Sequence, residues 1–286
     1  MSAFSRLLPP IACAFGSQLG LAAIFVPQAN ERFYDLGGSF GFLTSAYVSL
    51  YYPYLRDKFY LKKSVQIPSF SSFAPRQVLL MGCISLWTLR LGSFLVQRAL
   101  KAGGDSRFDD VRHKPAKFTT FWMVQAVWVS VVGLPIYLVN ALPQSAIPAL
   151  SKRDYFSIGL FASSFLFEVL ADRQKSAWRK AKDNKEHDEK FITGGLWGLS
   201  RHPNYVGEVG LWTGIFFLAQ KAIRPPFFPS WAIALAAASP LTTYLLVRHV
   251  SGVPILEKSG EKKYGTDPKW AEYKRNVPIF WPKILS

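Results

Sequence analysis

Cysteine is nearly absent from this chain: Cys13 and Cys83 are the only two, and both fall inside apolar runs. Neither a disulfide framework nor a zinc site is supported. Histidine is almost as sparse. His113, His187, His202 and His249 stand too far apart for a local metal motif, so no metal is expected. Acidic residues are few, 18 Asp and Glu against 34 Lys and Arg, which leaves a formal net charge of +16. There is no G-x-G-x-x-G, no Walker-type phosphate loop and no G-x-S-x-G elbow. Any dinucleotide site therefore lies outside the usual soluble folds. Internal repeats and low-complexity tracts are also missing.

What the chain has is apolar length. Half of its residues are hydrophobic and 15% are aromatic, and they are gathered into runs. Seven runs approach the roughly 17–25 residues of a membrane span: 7–28, 37–55, 76–99, 118–142, 155–171, 205–223 and 231–250. The fifth is short enough for a re-entrant segment. The first is too long, and lacks the small-residue cleavage site, for a signal peptide, so it reads as a retained helix. The expected fold class is all-α, a polytopic membrane bundle of about seven helices forming one integral membrane domain over residues 1–286.

Charge orients these spans. The N-terminus and the even-numbered loops carry 10 Lys and Arg, against 23 in the odd-numbered loops and the tail. The positive-inside rule then places the N-terminus in the lumen and the C-terminus in the cytosol. Arg56, Lys58, Lys62 and Lys63 run against that assignment. The basic residues lie between spans without a nucleic-acid-reading motif, so a nucleic-acid partner is not expected. The lipid bilayer and a phosphorylated cofactor are the better partners.

Three groups of polar residues sit where apolar helices should exclude them. Arg90 and Arg98 share a helix face at i, i+8, and a guanidinium in mid-span is costly unless it pairs or lines a wet cavity. Glu168, Asp172 and Arg179 form a second stripe at i, i+4, i+11. The third group is Arg201-His202-Pro203-Asn204-Tyr205, with Glu208 about a turn further on. Pro203 suits the first turn of a helix, and Tyr205 and Glu208 share a face at i, i+3. Guanidinium groups bind phosphate in bidentate fashion, and a carboxylate accepts from ribose or adenine donors. This is chemistry for a phosphorylated dinucleotide or another anionic nucleotide.

The segment 168–212, with Gly194-Gly195-Leu196-Trp197, Ser200 through Tyr205 and Gly207-Glu208, resembles the C-terminal region of the steroid 5-alpha-reductase superfamily, nearest its DUF1295 branch. The segments 33–39, 87–91 and 104–109 resemble the same branch. So does a tail running from Leu256-Glu257 through Tyr264-Gly265 and Tyr273 to Pro278. The resemblance spans roughly residues 30–284.

It implies a seven-helix reductase of the endoplasmic reticulum that uses NADPH to saturate a carbon–carbon double bond, often one conjugated to a ketone, in an apolar small-molecule substrate. Residues 155–284 would form the cofactor-binding region. The resemblance casts Asp172, Arg179, Asn204, Tyr205 and Glu208 as cofactor-site residues and Arg90 and Arg98 as phosphate or cavity-lining partners. Arg201 and His202 are expected to join the cofactor site, and Tyr205 and Glu208 are the expected catalytic pair. The acid and tyrosine that polarise the substrate carbonyl in steroid reductases have no clear counterpart here; Glu31, Tyr34, Asp35 and Tyr47 are candidates by location alone. The alternative is an S-adenosylmethionine-dependent membrane methyltransferase of the isoprenylcysteine carboxyl methyltransferase type, which shares an Arg-His-Pro-x-Tyr string and a similar tail. A non-catalytic membrane receptor or scaffold leaves Glu208 without a purpose.

Overall fold

The computed structural model describes residues 3–102 and 108–283, with side chains of 96–102 left aside. The motif segment 104–109 therefore falls largely outside the described residues, as does the side chain of Arg98. All regular structure among the described residues is helical: α1 (Leu8–Phe25), α2 (Tyr34–Leu55), α3 (Pro75–Ala102), α4 (Pro115–Val132), α5 (Leu134–Asn140), α6 (Lys152–Asp183), α7 (Pro203–Gln220), α8 (Ala232–Leu245), α9 (Val253–Tyr264) and α10 (Pro268–Asn276). By length and apolarity four stretches can cross a membrane, Phe4–Phe25, Pro75–Leu95, Lys152–Asp183 and Ala232–Tyr264. A bent pair, α4 with α5, makes five. The all-helical membrane fold holds, but the expected count of seven does not emerge. The expected fourth span is broken by 55° between Val132 and Leu134. Pro135 cannot donate to the preceding turn. The Tyr137 ring also lies where a Cβ on Gly133 would sit, 2.3 Å away, so the bend needs glycine there.

The chain divides into two compact units, residues 1–155 with 215–239, and residues 156–214 with 240–286. In the first unit α2 packs against α1 and α3, and α1 also packs against α4. Glycine lets them approach: a Cβ on Gly37 would meet the Trp122 ring at 2.6 Å, and one on Gly41 would meet Gln18 Nε2 at the same distance. Gln18 is fully buried and donates to Gly37 O at 2.8 Å, while Gln125 Nε2 donates to Gln18 Oε1 at 2.9 Å. Such amides are costly in an apolar bundle unless satisfied, so this network sets the pairing of α1, α2 and α4. A second buried pair joins Arg76 at the start of α3 to Asp154 at the start of α6, with Arg76 Nη2 3.0 Å from Asp154 Oδ2.

In the second unit the α6–α7 contact is made of small residues. A Cβ on Gly207 would lie 2.7 Å from Glu168 Cβ, one on Gly210 would lie 2.3 Å from Ser164 Oγ, and one on Gly214 would lie 2.8 Å from Phe161 N. The stripe Gly207, Gly210, Gly214 thus admits the α6 backbone directly. An aromatic cluster of Phe191, Tyr264, Trp270 and Tyr273 forms a separate core around α10.

Candidate functional site

The loop entering α7 is held from both sides. Gly195 has φ +62°, and a Cβ there would strike Gln174; the Gln174 carbonyl accepts from Leu196 N at 2.9 Å. Trp197 Nε1 donates to Ala171 O at 3.0 Å, and Tyr273 Oη donates to Trp197 O at 2.7 Å. The returning tail completes the clamp: Arg201 N donates to Pro278 O at 3.0 Å and Lys283 N to Leu199 O at 3.1 Å. Arg201 and His202 are thereby presented on a fixed backbone.

Both line a cavity of about 400 Å³ within the second unit. Its walls carry six cationic side chains, Lys175, Arg179, Lys182, Lys190, Arg201 and Lys263, and one carboxylate, Glu257. Three of the cations are committed: Lys190 pairs with Asp267 at 2.7 Å, Lys182 donates to Glu189 O at 2.7 Å, and Arg201 pairs with Glu257. Trp178 and Trp197 add aromatic faces, with Lys175 Nζ 4.3 Å from the Trp197 ring centre. Glu257 sits between Arg201, whose Nη1 is 2.7 Å from Oε2, and His202, whose Nε2 is 2.8 Å from Oε1. Burial holds the His202 imidazole below its usual pKa, against the opposing pull of Glu257. A neutral ring donating from Nε2 keeps a lone pair on Nδ1. That buried Nδ1 has no hydrogen-bond partner, and neither does the Asn204 carbonyl oxygen.

The cavity gathers Arg179, Arg201 and His202 from the expected site. Asp172 is buried further back on α6, and neither it, Asn204, Tyr205 nor Glu208 is part of the lining. Tyr205 stacks on His202 with ring centres 5.8 Å apart, and its own ring packs against Gly252. Glu208 is only half-buried and accepts from Trp212 Nε1 at 3.2 Å. Arg90 lies in the first unit, its guanidinium 5.5 Å from the Phe94 ring centre. Sequence reasoning missed the role of Glu257, quoted above only as part of the tail, and missed Lys175 and Lys263. Their basic neighbours read simply as a cytosolic flank.

The first unit holds an apolar cavity of about 680 Å³, walled chiefly by Leu21, Phe25, Leu36, Phe40 and Leu43, with the buried Ser39 hydroxyl lacking a partner. None of the four early-helix candidates lines it. Glu31 is buried against Arg112 at 3.3 Å, Tyr34 Oη donates to Phe121 O at 2.9 Å, and Tyr47 is exposed beside Tyr51 and Phe70.

A family model described as a protein of unknown function (DUF1295) matches residues 59–277. No curated protein and no solved structure matches the chain.

Proposed function

The chain belongs to the DUF1295 family, and from that premise we propose that it is a membrane-embedded, NADPH-dependent reductase that saturates a carbon–carbon double bond, most simply an enone, of an apolar lipid, sterol or isoprenoid-like substrate. The observation that carries this reading is the cavity with six cations against one carboxylate. Such an excess suits a dinucleotide with an additional phosphate, and tryptophan faces suit its flat rings. The orphaned Nδ1 of His202, a residue of that wall, is an acceptor fitting a ligand rich in N–H and O–H donors. NADPH, when bound, supplies the hydride.

The chain's own residues do the rest. Arg179, Lys175 and Lys263 would hold phosphate oxygens. Glu257 neutralises Arg201 and fixes the His202 tautomer, leaving Nδ1 as an acceptor. Tyr205, whose ring stacks on His202, would donate from its hydroxyl to the oxygen on which charge develops in the substrate. Glu208, outside that lining, would accept from the cofactor's amide end. The membrane-capable apolar helices support a hydrocarbon-like substrate.

S-adenosylmethionine carries no phosphate and bears positive charge at sulfur, which leaves the cationic wall unused. Equilibrium binding of NADPH, NADH and S-adenosylmethionine to the detergent-purified chain tests the proposal. NADPH should bind at least about tenfold more tightly than NADH, as one lost charge-assisted contact requires. Binding of S-adenosylmethionine without NADPH would replace the reductase reading with the methyltransferase one.

A further inference from the structure

At the end of the first unit where α1 begins, α2 ends, α3 begins and α5 ends lies a third cavity, of about 420 Å³, whose wall includes Arg6, Tyr54, Asp57, Gln77, Asn140 and Ser145. Its wall mixes polar and apolar side chains, and one of its buried groups is unsatisfied. Asn140 donates from Nδ2 to Ser49 Oγ at 2.8 Å and to Met81 Sδ at 3.5 Å. The Ser49 hydroxyl hydrogen goes to Ala46 O at 2.6 Å, and a thioether has no proton to give. Only the NH2 side of Asn140 can serve those two partners, so the amide cannot be turned round. Its carbonyl oxygen is left buried without a donor, although Asn140 is only 3% exposed. A buried carbonyl in that state has acceptor capacity for one more N–H or O–H.

The charges around the cavity specify the remainder of that ligand. Arg6 spends one N–H on Ala141 O at 3.0 Å, which leaves most of its fork for other acceptors. Asp57, the acid of the wall, is already paired with Arg56 at 2.8 Å and Lys63 at 3.1 Å. Its carboxyl is held below its usual pKa by hydrogen bonds from those two side chains. With Asp57 already neutralised by two cations from outside the wall, Arg6 is the wall charge left to a ligand, and an anion is favoured. Beside the cavity the turn Arg56–Tyr60 exposes Lys58, Phe59 and Tyr60, the mixture of base and aromatic that settles at the level of lipid headgroups.

We propose that this cavity binds the headgroup of an anionic phospholipid that carries a hydroxyl beside its phosphate, phosphatidylglycerol being the simplest. The phosphate meets Arg6, the hydroxyl donates to Asn140 Oδ1, and the acyl chains stay in the bilayer. A choline headgroup has no N–H or O–H and cannot satisfy Asn140. The site does not depend on the reductase reading, because none of its residues belongs to the cationic cavity.

The test is thermal unfolding of the detergent-purified full chain titrated with dihexanoylphosphatidylglycerol, dihexanoylphosphatidylcholine or glycerol 3-phosphate. The glycerol lipid should raise the unfolding temperature saturably and the choline lipid should not. Arg6→Gln should raise the half-saturating concentration about tenfold or more. Because Arg6 also ties down Ala141 O, Ser145→Glu at the exposed rim is the second variant, and it should weaken the same titration without lowering the unliganded unfolding temperature. Equal stabilisation by both lipids, or titrations unchanged in both folded variants, would overturn the proposal. Glycerol 3-phosphate matching the lipid would assign the site to a soluble anion and overturn the lipid assignment.

Discussion

Glu257 and His202 stand 55 residues apart in the chain yet share a hydrogen bond of 2.8 Å at the wall of the cationic cavity, with Arg201 closing the trio on the other carboxylate oxygen. Glu257→Gln keeps the shape but removes the charge that both partners use. The expected loss is about 1.5–3 kcal/mol, the range for hydrogen bonds to a charged group. Thermal unfolding in detergent measures it, and an unchanged midpoint would mean that the trio does not contribute.

The pH dependence follows from the same geometry. His202 has its pKa lowered by burial from an ordinary value of 6.5, so the unfolded chain takes up the proton before the folded one does. The contribution is complete above about 6.5 and is lost as pH falls from there through the folded value. The unfolding midpoint should therefore drop on acidification in that window, and His202→Gln should flatten the drop. A midpoint equally steep in the variant would assign the effect to other groups.

Arg179→Ala tests the choice between phosphorylated and plain cofactor. Arg179 is exposed and has Lys175 and Lys263 on the same wall, so the loss in NADPH binding should be about 1.5 kcal/mol, with NADH nearly unchanged. Equal losses for both nucleotides in equilibrium titration would move Arg179 to the pyrophosphate.

Glu208→Leu removes the acceptor while fitting a half-buried helical position. The protein should insert and fold, and turnover of a reducible enone with NADPH should be abolished. Glu208→Gln, which can still accept a hydrogen bond, should retain part of that turnover. A Leu variant reducing at the parental rate would remove Glu208 from the reaction.

Glycine replacements separate packing from flexibility. Gly207→Ala places a methyl 2.7 Å from Glu168 Cβ and should cost about 1–3 kcal/mol through forced separation of α6 and α7. Gly16→Ala meets nothing within 4 Å on α1 and should be neutral or stabilising by up to about 1 kcal/mol. Comparing the two unfolding midpoints checks the contact directly.

The sequence by itself determined the all-helical class, the membrane-capable runs and the polar string at the start of α7, because apolar length and local spacing are properties of contiguous residues. It also pointed to Arg179, Arg201 and His202, which meet at one cavity. It could not show that Gly133 and Pro135 break one span into two helices, since the bend depends on Tyr137 folding back over the glycine. The partner of His202 was equally hidden: Glu257 arrives from a helix after α8, and only the clamp of the tail on residues 199–201 brings the two together. Lys175 and Lys263 read as ordinary basic flanks until the fold turned them to the same wall. The Asn140 carbonyl became informative for the same reason. Whether a buried polar atom has a partner is decided by residues distant in the chain, and only the tertiary structure brings them within hydrogen-bond reach.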